Sequence, residues 1–301
     1  MALWFAGEPD VLWRSLAAGL AAFATPLVAR RLVLARSQRR SERSELEGEE
    51  RRVSILYAII EDFAPVSGRP KQLVEALNRA LAAIAPVVET QGGFVDKVDG
   101  GTIVAVFGAP AAADRHAAGA VIAAMEACRE VEREALLLDE GRPLRLRIGV
   151  DTGVVLAGAI GSPGRLAYTV MGEVVHEAAR LASASRGYGV RVLVSEETAT
   201  ACAVEVLMRE VVTGHVAGRE MPVTLLEPLA TQAGATAADR EKASDYAAAF
   251  YYLRAGRYAE AAAAFAAFDG DPAAAALAQQ AAALAAAPPI GLDDEDEQRE
   301  P

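Results

Sequence analysis

The feature that most constrains the fold is a predicted β-hairpin at residues 91–110, with the sequence QGGFVDKVDGGTIVAVFGAP. Two short apolar runs, Phe94–Val98 and Thr102–Phe107, flank the segment Asp99–Gly101. Asp-Gly between runs rich in β-branched residues favours a tight turn, because a two-residue type I′ turn needs positive φ at both central positions. The second run is uncharged, so we expect its strand to be buried within a larger sheet.

Hydrophobic periodicity predicts strands and helices in a mixed order around this hairpin. Besides the two hairpin strands, strands are predicted at Val53–Ile60, Leu144–Val150, Val154–Ile160, Val190–Val194, Glu205–Val211 and Val223–Leu226. Helices are predicted at residues 70–90, Asp114–Leu138, Gly172–Ser185 and Ser195–Thr200, and a turn at Asp151–Gly153. The order β-α-β-β-α-β-β-α-β-α-β-β indicates an α+β sandwich with a mostly antiparallel sheet flanked by helices.

Shifts in composition divide the chain into four predicted segments. An N-terminal helix and charged connector occupy residues 1–50, the α+β domain occupies 51–229, an alanine-rich helical segment follows at 230–288, and 289–301 is a disordered acidic tail. Within the third segment, Tyr246–Phe268 resembles a tetratricopeptide unit, with two helices joined by a turn that contains Gly256. One such unit cannot bury its own apolar face, so we expect it to dock on the sandwich or on a partner.

The N-terminal helix determines where the protein is expected in the cell. Its uncharged stretch, Ser15–Ala29, is shorter than the roughly 20 apolar residues that a membrane-spanning helix needs. Two acidic residues, Glu8 and Asp10, precede it and argue against a signal peptide. We therefore expect a cytoplasmic protein whose N-terminal helix packs on a partner or on itself. Peripheral membrane attachment through this helix is the alternative.

Charge and cysteine content exclude further classes. The net charge of −11 argues against nucleic-acid binding by neutralisation of phosphates. The two cysteines, Cys128 and Cys202, are far apart and have no spacing typical of metal ligands. We expect both to be buried thiols in a reducing compartment.

Several motifs, in order and at matching spacing, resemble those of the class III nucleotidyl cyclases. The hairpin sequence VDKVDGGTIVAVFGAP is similar to the usual bacterial motif of this family, VDKFIGDAIMAVFGAP. Further along, RIGVDTG resembles RIGIHTG, GSPGR resembles GSPER, YTVMG resembles YTVIG, and AARL is shared. Any one tetrapeptide is a weak signal, whereas the ordered set is specific. The resemblance covers about Arg51–Pro228 and implies the cyclase catalytic fold.

The resemblance also implies an activity, and the metal-binding half of the site departs from it. Family members join the 3′-hydroxyl of a nucleoside triphosphate to its α-phosphate at a head-to-tail dimer interface, using two divalent ions held by two aspartates. Those aspartates align with Ile59 and Gly101 here, and neither side chain has an oxygen to offer a hard cation. We therefore expect no metal cofactor. Mg²⁺ or Mn²⁺ would bind only if the nearby carboxylates of Glu61, Asp62 or Asp99 served as substitutes.

The half of the family site that contacts the nucleotide is better preserved. By resemblance, Lys97 contacts adenine, Glu173 stands where an acidic or smaller polar residue reads the base, and Arg180 is the transition-state arginine. His176 replaces the family's asparagine and is a degenerate catalytic position. Three of these residues also have a plain structural interpretation: Lys97 as a solvated strand lysine, Glu173 as a first-turn helix acid favoured by the helix dipole, and His176 as a surface histidine.

The resulting hypothesis is a degenerate cyclase domain in cyclic-nucleotide signalling that is inactive alone. It would act as a dimerising regulatory or nucleotide-binding module, as a homodimer or with another cyclase domain, and would bind ATP or GTP. One alternative is the complementing half of a heterodimeric adenylate cyclase. Others are an active cyclase with substitute carboxylates and a scaffold that binds a protein partner through the C-terminal helices.

Overall fold

The computed structural model describes residues 48–63, 70–138, 141–162, 165–214 and 223–286. The predicted N-terminal helix, nearly all of the charged connector and the acidic tail lie outside these residues. The chain divides into a small compact unit that includes Ala157–Thr169 and a large one that comprises Glu50–Leu156 and the chain from Val170 onward. None of the helices in the described ranges has an apolar stretch long enough to cross a membrane.

The described part of the chain contains eight strands and seven helices. The strands are β1 (Glu49–Ile60), β2 (Gly93–Asp99), β3 (Thr102–Phe107), β4 (Leu146–Ser162), β5 (Arg165–Met171), β6 (Val192–Ser195), β7 (Val206–Gly214) and β8 (Val223–Thr231). The helices are α1 (Pro70–Thr90), α2 (His116–Arg133), α3 (Glu173–Ala184), α4 (Glu196–Ala201), α5 (Ala237–Arg254), α6 (Tyr258–Ala266) and α7 (Pro272–Ala286).

All eight strands form one sheet in the order β2-β3-β1-β4-β6-β8-β7, with β5 paired to β4. The β1–β3, β2–β3, β6–β8 and β7–β8 pairs are antiparallel, and β4 runs parallel to β6. The predicted α+β fold with a mostly antiparallel sheet and flanking helices is confirmed. The hairpin is also confirmed, with its turn at Gly100-Gly101, where Gly100 adopts a φ of 54°. Strand β3 is buried along almost its whole length.

Two details of the predicted strands are wrong. The predicted turn at Asp151–Gly153 does not exist, because β4 continues through it as one strand of 17 residues. A Cβ at Gly153 would lie 2.8 Å from the Val174 side chain of α3, and one at Gly149 would lie 2.0 Å from the carbonyl oxygen of Ala178. These glycines therefore allow α3 to approach the sheet closely and do not mark a turn. Strand β5 was not predicted.

The main core lies where α1 and α2 pack on β1, β3 and β4. It contains Leu56, Ile103, Ile148 and many alanines of α2, which let the helix lie close to its neighbours. Both cysteines are buried and free, as predicted, and burial raises the pKa of each thiol to about 12. The thiols are thus protonated and unreactive at neutral pH.

Three helices follow the sheet and share an aromatic core. Tyr246 and Phe250 of α5 pack against Phe265 of α6, with ring centroids 5.2–5.5 Å apart for the contacts to Phe265. The predicted turn between the first two helices is present, and Gly256 within it has a φ of 71°. The likeness of these helices to a tetratricopeptide unit stays a prediction.

A buried ionic cluster attaches these helices to β7 and β8. Its hub is Asp271, whose carboxylate pairs with both terminal nitrogens of Arg209 and with the Lys242 ammonium at 2.9 Å. The backbone N–H groups of Ala273 and Ala274, at the start of α7, also donate to this carboxylate at 3.1 and 3.2 Å. One aspartate thus caps α7 and neutralises a buried cation.

Interactions with neighbouring cations stabilise the ionised form of Asp271 more than burial destabilises it. Arg209, itself 5% exposed, also donates to Glu227 at 2.7 Å and stacks 4.4 Å from the Tyr246 ring centroid. Burial alone would raise the pKa of Asp271, but hydrogen bonds from Arg209 and Lys242 hold that pKa at about 2, below the ordinary 3.8. The cluster is fully formed only when Asp271 is ionised.

We predict that Asp271→Asn lowers the free energy of unfolding by about 3 kcal/mol at pH 7, because it leaves the buried Arg209 with Glu227 as its one remaining carboxylate partner in the cluster. The folded-state pKa lies below the unfolded value, so the carboxylate contributes stability above about pH 4 that is lost as pH falls toward 2. Urea unfolding followed by circular dichroism should show that the difference in unfolding free energy between wild type and Asp271→Asn becomes smaller as pH falls from about 4 toward 2. Glu260→Gln, in an exposed pair with Arg257, should leave the stability nearly unchanged, because solvent screens this pair. Equal stabilities of Asp271→Asn and wild type at pH 7 would contradict the hub role.

Candidate functional site

The two positions predicted from the motifs to match the family's metal-binding aspartates lie side by side. Ile59, near the end of β1, is the register partner of Thr102, the first residue of β3. The next residue, Ile60, donates its backbone N–H to the carbonyl oxygen of Gly101 at 2.8 Å. The sheet therefore brings both positions to one place, as a shared metal site would require, but supplies an aliphatic side chain and a bare backbone there.

The space beside Gly101 is already filled. A Cβ built on Gly101 would lie 2.6 Å from Cδ1 and 2.7 Å from Cβ of Phe63, distances that real Cβ atoms do not tolerate. The Phe63 side chain therefore occupies the volume into which a side chain at position 101 would project. A side chain longer than hydrogen at position 101 would therefore require Phe63 to move.

The nearest acidic side chain is committed to another partner. Arg147 of β4 donates from Nε to Oε1 of Glu61 at 2.6 Å, and both side chains are mostly buried. The same guanidinium donates from Nη1 to the carbonyl oxygen of Val190 at 2.6 Å. A cation at this edge would have to displace a paired arginine before Glu61 could bind it.

The other two substitute carboxylates point to solvent-exposed positions. Asp62 is 57% exposed, has a φ of 54°, and lies 3.9 Å from Arg186. Asp99 is exposed at the end of β2, where its carbonyl oxygen accepts from the Thr102 hydroxyl at 2.7 Å. Across the described residues, no group of three or more His, Cys, Asp or Glu side chains is placed to hold a metal ion. The residues present at this edge do not fit a two-ion centre.

Helix α3 presents three of the candidate residues together. Glu173, His176 and Arg180 are spaced by three and four residues and are exposed, so they share one face of the helix. Val174, Ala178 and Leu181 are buried and fix the opposite face against the sheet. The Arg180 guanidinium lies 2.5 Å from Glu177 and 3.5 Å from Glu173, so carboxylates of its own helix hold it in place.

This face of α3 borders an open groove of about 1770 Å³. The groove is also lined by Asp151, Thr152 and Val154 of β4, by Glu197 of α4 and by Arg52 of β1. Lys97 does not line the groove. It is exposed on β2, the edge strand, directly after a bulge in the β2–β3 pairing. The structure therefore unites Glu173, His176 and Arg180 but places Lys97 apart from them.

A chain of hydrogen-bonded polar side chains that the sequence did not reveal reaches the groove through Thr152 and Ser195. The Ser54 hydroxyl lies 2.9 Å from Nδ1 of His116 and 2.6 Å from the Thr152 hydroxyl, which is 3.0 Å from the Thr198 hydroxyl. Thr198 continues the chain to Ser195 at 2.9 Å. Asp151 hydrogen-bonds Ser195, but burial dominates and raises the pKa of its carboxyl.

The sequence contained only one signal for this hydrogen-bonded network of side chains, which was a substitution within a motif. Asp151 stands where RIGIHTG has histidine, and its neighbour Thr152 is buried. The chain joins β1, β4, α2 and α4, and every hydroxyl in it has a partner within the protein. These hydrogen bonds connect the strands and helices beside the groove to one another.

Comparison with known proteins agrees with this architecture. A family model described as the adenylate and guanylate cyclase catalytic domain matches residues 47–226. The adenylyl cyclase CyaB from P. aeruginosa superposes with a TM-score of 0.55 at 25% identity, covering 64% of this chain and 100% of that one. The guanylyl cyclase Cya2 superposes with a TM-score of 0.55 at 26% identity, covering 63% and 97%.

Curated relatives are longer than this chain. An uncharacterized protein of Mycobacterium tuberculosis is 35% identical over 194 residues, which are 62% of this chain and 33% of the relative. Adenylate cyclase 1 of Rhizobium meliloti is 31% identical over 183 residues, 58% of this chain and 27% of the relative. The chain thus spans about a third or less of the length of these relatives. Since the family model covers more than half of the chain, this protein belongs to the adenylate and guanylate cyclase catalytic domain family.

Proposed function

We propose that this chain is a degenerate cyclase domain that dimerises and supplies the nucleotide-contacting half of a composite site, without being a cyclase by itself. It would take part in cyclic-nucleotide signalling in the cytoplasm, as a homodimer that binds ATP or GTP or as a heterodimer with a complete cyclase domain. The observation that carries the proposal is the contact of Phe63 with Gly101, which leaves no room for the second carboxylate.

The chemistry at the lost metal site supports inactivity. Two divalent ions in a cyclase need several hard oxygen ligands, and Ile59 and Gly101 supply none. The nearest carboxylate, Glu61, is paired with Arg147 at 2.6 Å. An active enzyme with substitute carboxylates is therefore the less favoured alternative, because it requires both an ion-pair break and a rearrangement of Asp62 and Asp99.

A nucleotide-contacting role is supported by α3. Arg180 forms ion pairs with Glu177 and Glu173, yet its side chain remains 61% exposed and borders the groove. A triphosphate would attract this guanidinium more strongly than the two glutamates do, since it carries more charge and allows bidentate hydrogen bonds. His176, one turn earlier, can donate one hydrogen bond in the same direction.

Exposed apolar side chains support association with a second cyclase domain. Val154 and Leu156 alternate with buried Val155 on β4 and are 56% and 44% exposed. Met171, at the end of β5, is a third large exposed apolar side chain. Val154 also lines the groove, so a partner subunit covering these residues would close the groove over α3. A row of this kind is more typical of an interface than of a free surface.

A purified preparation should produce no cyclic nucleotide from ATP or GTP with Mg²⁺ or Mn²⁺. It should restore activity to a cyclase domain that keeps both aspartates but carries alanine at its own transition-state arginine. Arg180→Ala should lower the restored rate by about a hundredfold, because it removes a charge that stabilises the transition state. The control is Arg133→Ala, an exposed arginine on α2 that pairs with Glu130.

These outcomes separate the alternatives. Turnover by the chain alone would refute the inactive interpretation and favour substitute carboxylates. A restored rate that Arg180→Ala leaves intact would refute the complementing role. Binding of ATP without complementation would favour a regulatory homodimer.

A rebuilding series tests whether Phe63 closes the metal site. Gly101→Asp alone should destabilise the fold by about 1–3 kcal/mol, because the new Cβ overlaps the Phe63 ring. Adding Phe63→Ala should recover part of that loss. Only the triple variant Ile59→Asp/Gly101→Asp/Phe63→Ala should bind Mn²⁺ in a calorimetric titration. Mn²⁺ binding by Ile59→Asp/Gly101→Asp with Phe63 intact would contradict the packing argument, and Phe63→Ala alone is the control.

A further inference from the structure

The start of α7 touches the part of the sheet that supports α3. Ala273 is buried in a cluster with Leu181 of α3, Val190 and Leu193 beside and within β6, and neighbouring residues Val211 and Leu225 of β7 and β8. Leu181 directly follows Arg180 in the chain. A C-terminal helix therefore contributes to the packing that fixes the helix carrying the nucleotide-facing residues.

A second contact fixes the turn between α3 and β6. Gly189 has a φ of 69°, and a Cβ built on it would lie 2.4 Å from Cβ of Pro272. The turn closes on α3 through the hydrogen bond from the Val190 N–H to the Ser185 carbonyl oxygen at 3.1 Å. Pro272 thus packs closely against the turn at residues 185–190, which begins at the C-terminus of α3.

The same turn reaches the lost metal site. The Val190 carbonyl oxygen accepts from Arg147 at 2.6 Å, and Arg147 donates to Glu61 at 2.6 Å. Glu61 follows β1 two residues after Ile59. One short path of packed and hydrogen-bonded groups therefore runs from α7 to both halves of the family site.

The residues that make these contacts are consecutive with the ionic hub. Asp271 is held by Arg209 and Lys242, Pro272 meets Gly189, and Ala273 meets Leu181. Because the three residues are adjacent, α7 cannot leave its ionic partners without also leaving the turn and α3. The ionic hub and the contacts to α3 should form and break together.

We propose that helices α5–α7 are a built-in regulatory module: while Asp271 anchors them to β7, they hold α3 and the following turn in place, and their release loosens α3. The regulatory meaning of this coupling rests on the proposed role of α3 as a nucleotide half-site. A partner or ligand that pulls α5–α7 from the sheet would then change the position of Arg180 without touching the groove.

Amide hydrogen exchange of the full chain tests the coupling without any nucleotide. In Asp271→Asn, amides of α3 and of residues 185–190 should exchange about tenfold faster than in wild type, a typical size for coupling between sites. Glu260→Gln, an exposed change within α6, should leave α3 unaltered. Unchanged α3 exchange in Asp271→Asn, with faster exchange in α5–α7, would refute the proposal.

Coupling must also operate in the reverse direction. Gly189→Ala should push on Pro272 and accelerate exchange in α7, although the substituted residue is on the α3 side. Gly141→Ala is a matched control, because its φ of 74° imposes a similar backbone penalty, nothing lies within 4 Å of its Cβ, and it lies outside α5–α7. Equal α7 exchange in the two glycine variants would contradict the proposal. If Asp271→Asn does not fold, the two glycine variants decide the question alone.

Nucleotide binding separates this inference from the proposed function. If the exchange coupling is present but ATP and GTP do not bind, the module braces α3 and the nucleotide role is wrong. If a nucleotide binds and Arg180→Ala weakens it, while Asp271→Asn changes neither its affinity nor α3 exchange, the nucleotide role holds and the regulatory inference is wrong.

Discussion

The contact between the Phe63 side chain and the bare backbone of Gly101 is the interaction on which the proposed role of this domain depends. This contact occurs where the sheet register brings Ile59 next to the β2–β3 turn, and it fills the space into which a side chain at position 101 would project. A hard divalent ion needs oxygen ligands directed at one point, and a tightly packed aromatic ring excludes both the ligands and the ion. Glu61 adds to this, since its charge is already satisfied by a buried arginine.

The surface around α3 is built by different contacts. Glycines at 149 and 153 let α3 approach the sheet closely. Glu173, His176 and Arg180 stay exposed beside a groove that is lined in part by hydrogen-bonded hydroxyl groups. The C-terminal helices then fix the far end of α3 through Asp271 and the two residues after it. These contacts fix the position of the α3 face that we propose contacts a nucleotide.

Local chemistry made much of the fold predictable, whereas long-range contacts did not. The hairpin was predictable because glycines at its turn and β-branched residues around them act within a few residues. The turn wrongly predicted at Asp151–Gly153 shows the limit, since Gly153 serves a helix 20 residues away. The departure of Ile59 and Gly101 from the family motifs was visible in the sequence, but the contact of Phe63 with Gly101 was not. The role of Asp271 was not predicted, because its partners Arg209 and Lys242 lie far from it in the sequence.

The central claim is that this domain meets a nucleotide without holding a metal ion, and calorimetry tests it most directly. A nonhydrolysable ATP or GTP analogue is titrated into the full chain with Mg²⁺ present and again with the metal chelated. The account predicts the same dissociation constant, within about twofold, in both titrations, since Ile59 and Gly101 add no ligand to the metal. Binding that tightens by about tenfold or more with Mg²⁺, or a separate site that takes up the metal alone, would contradict it.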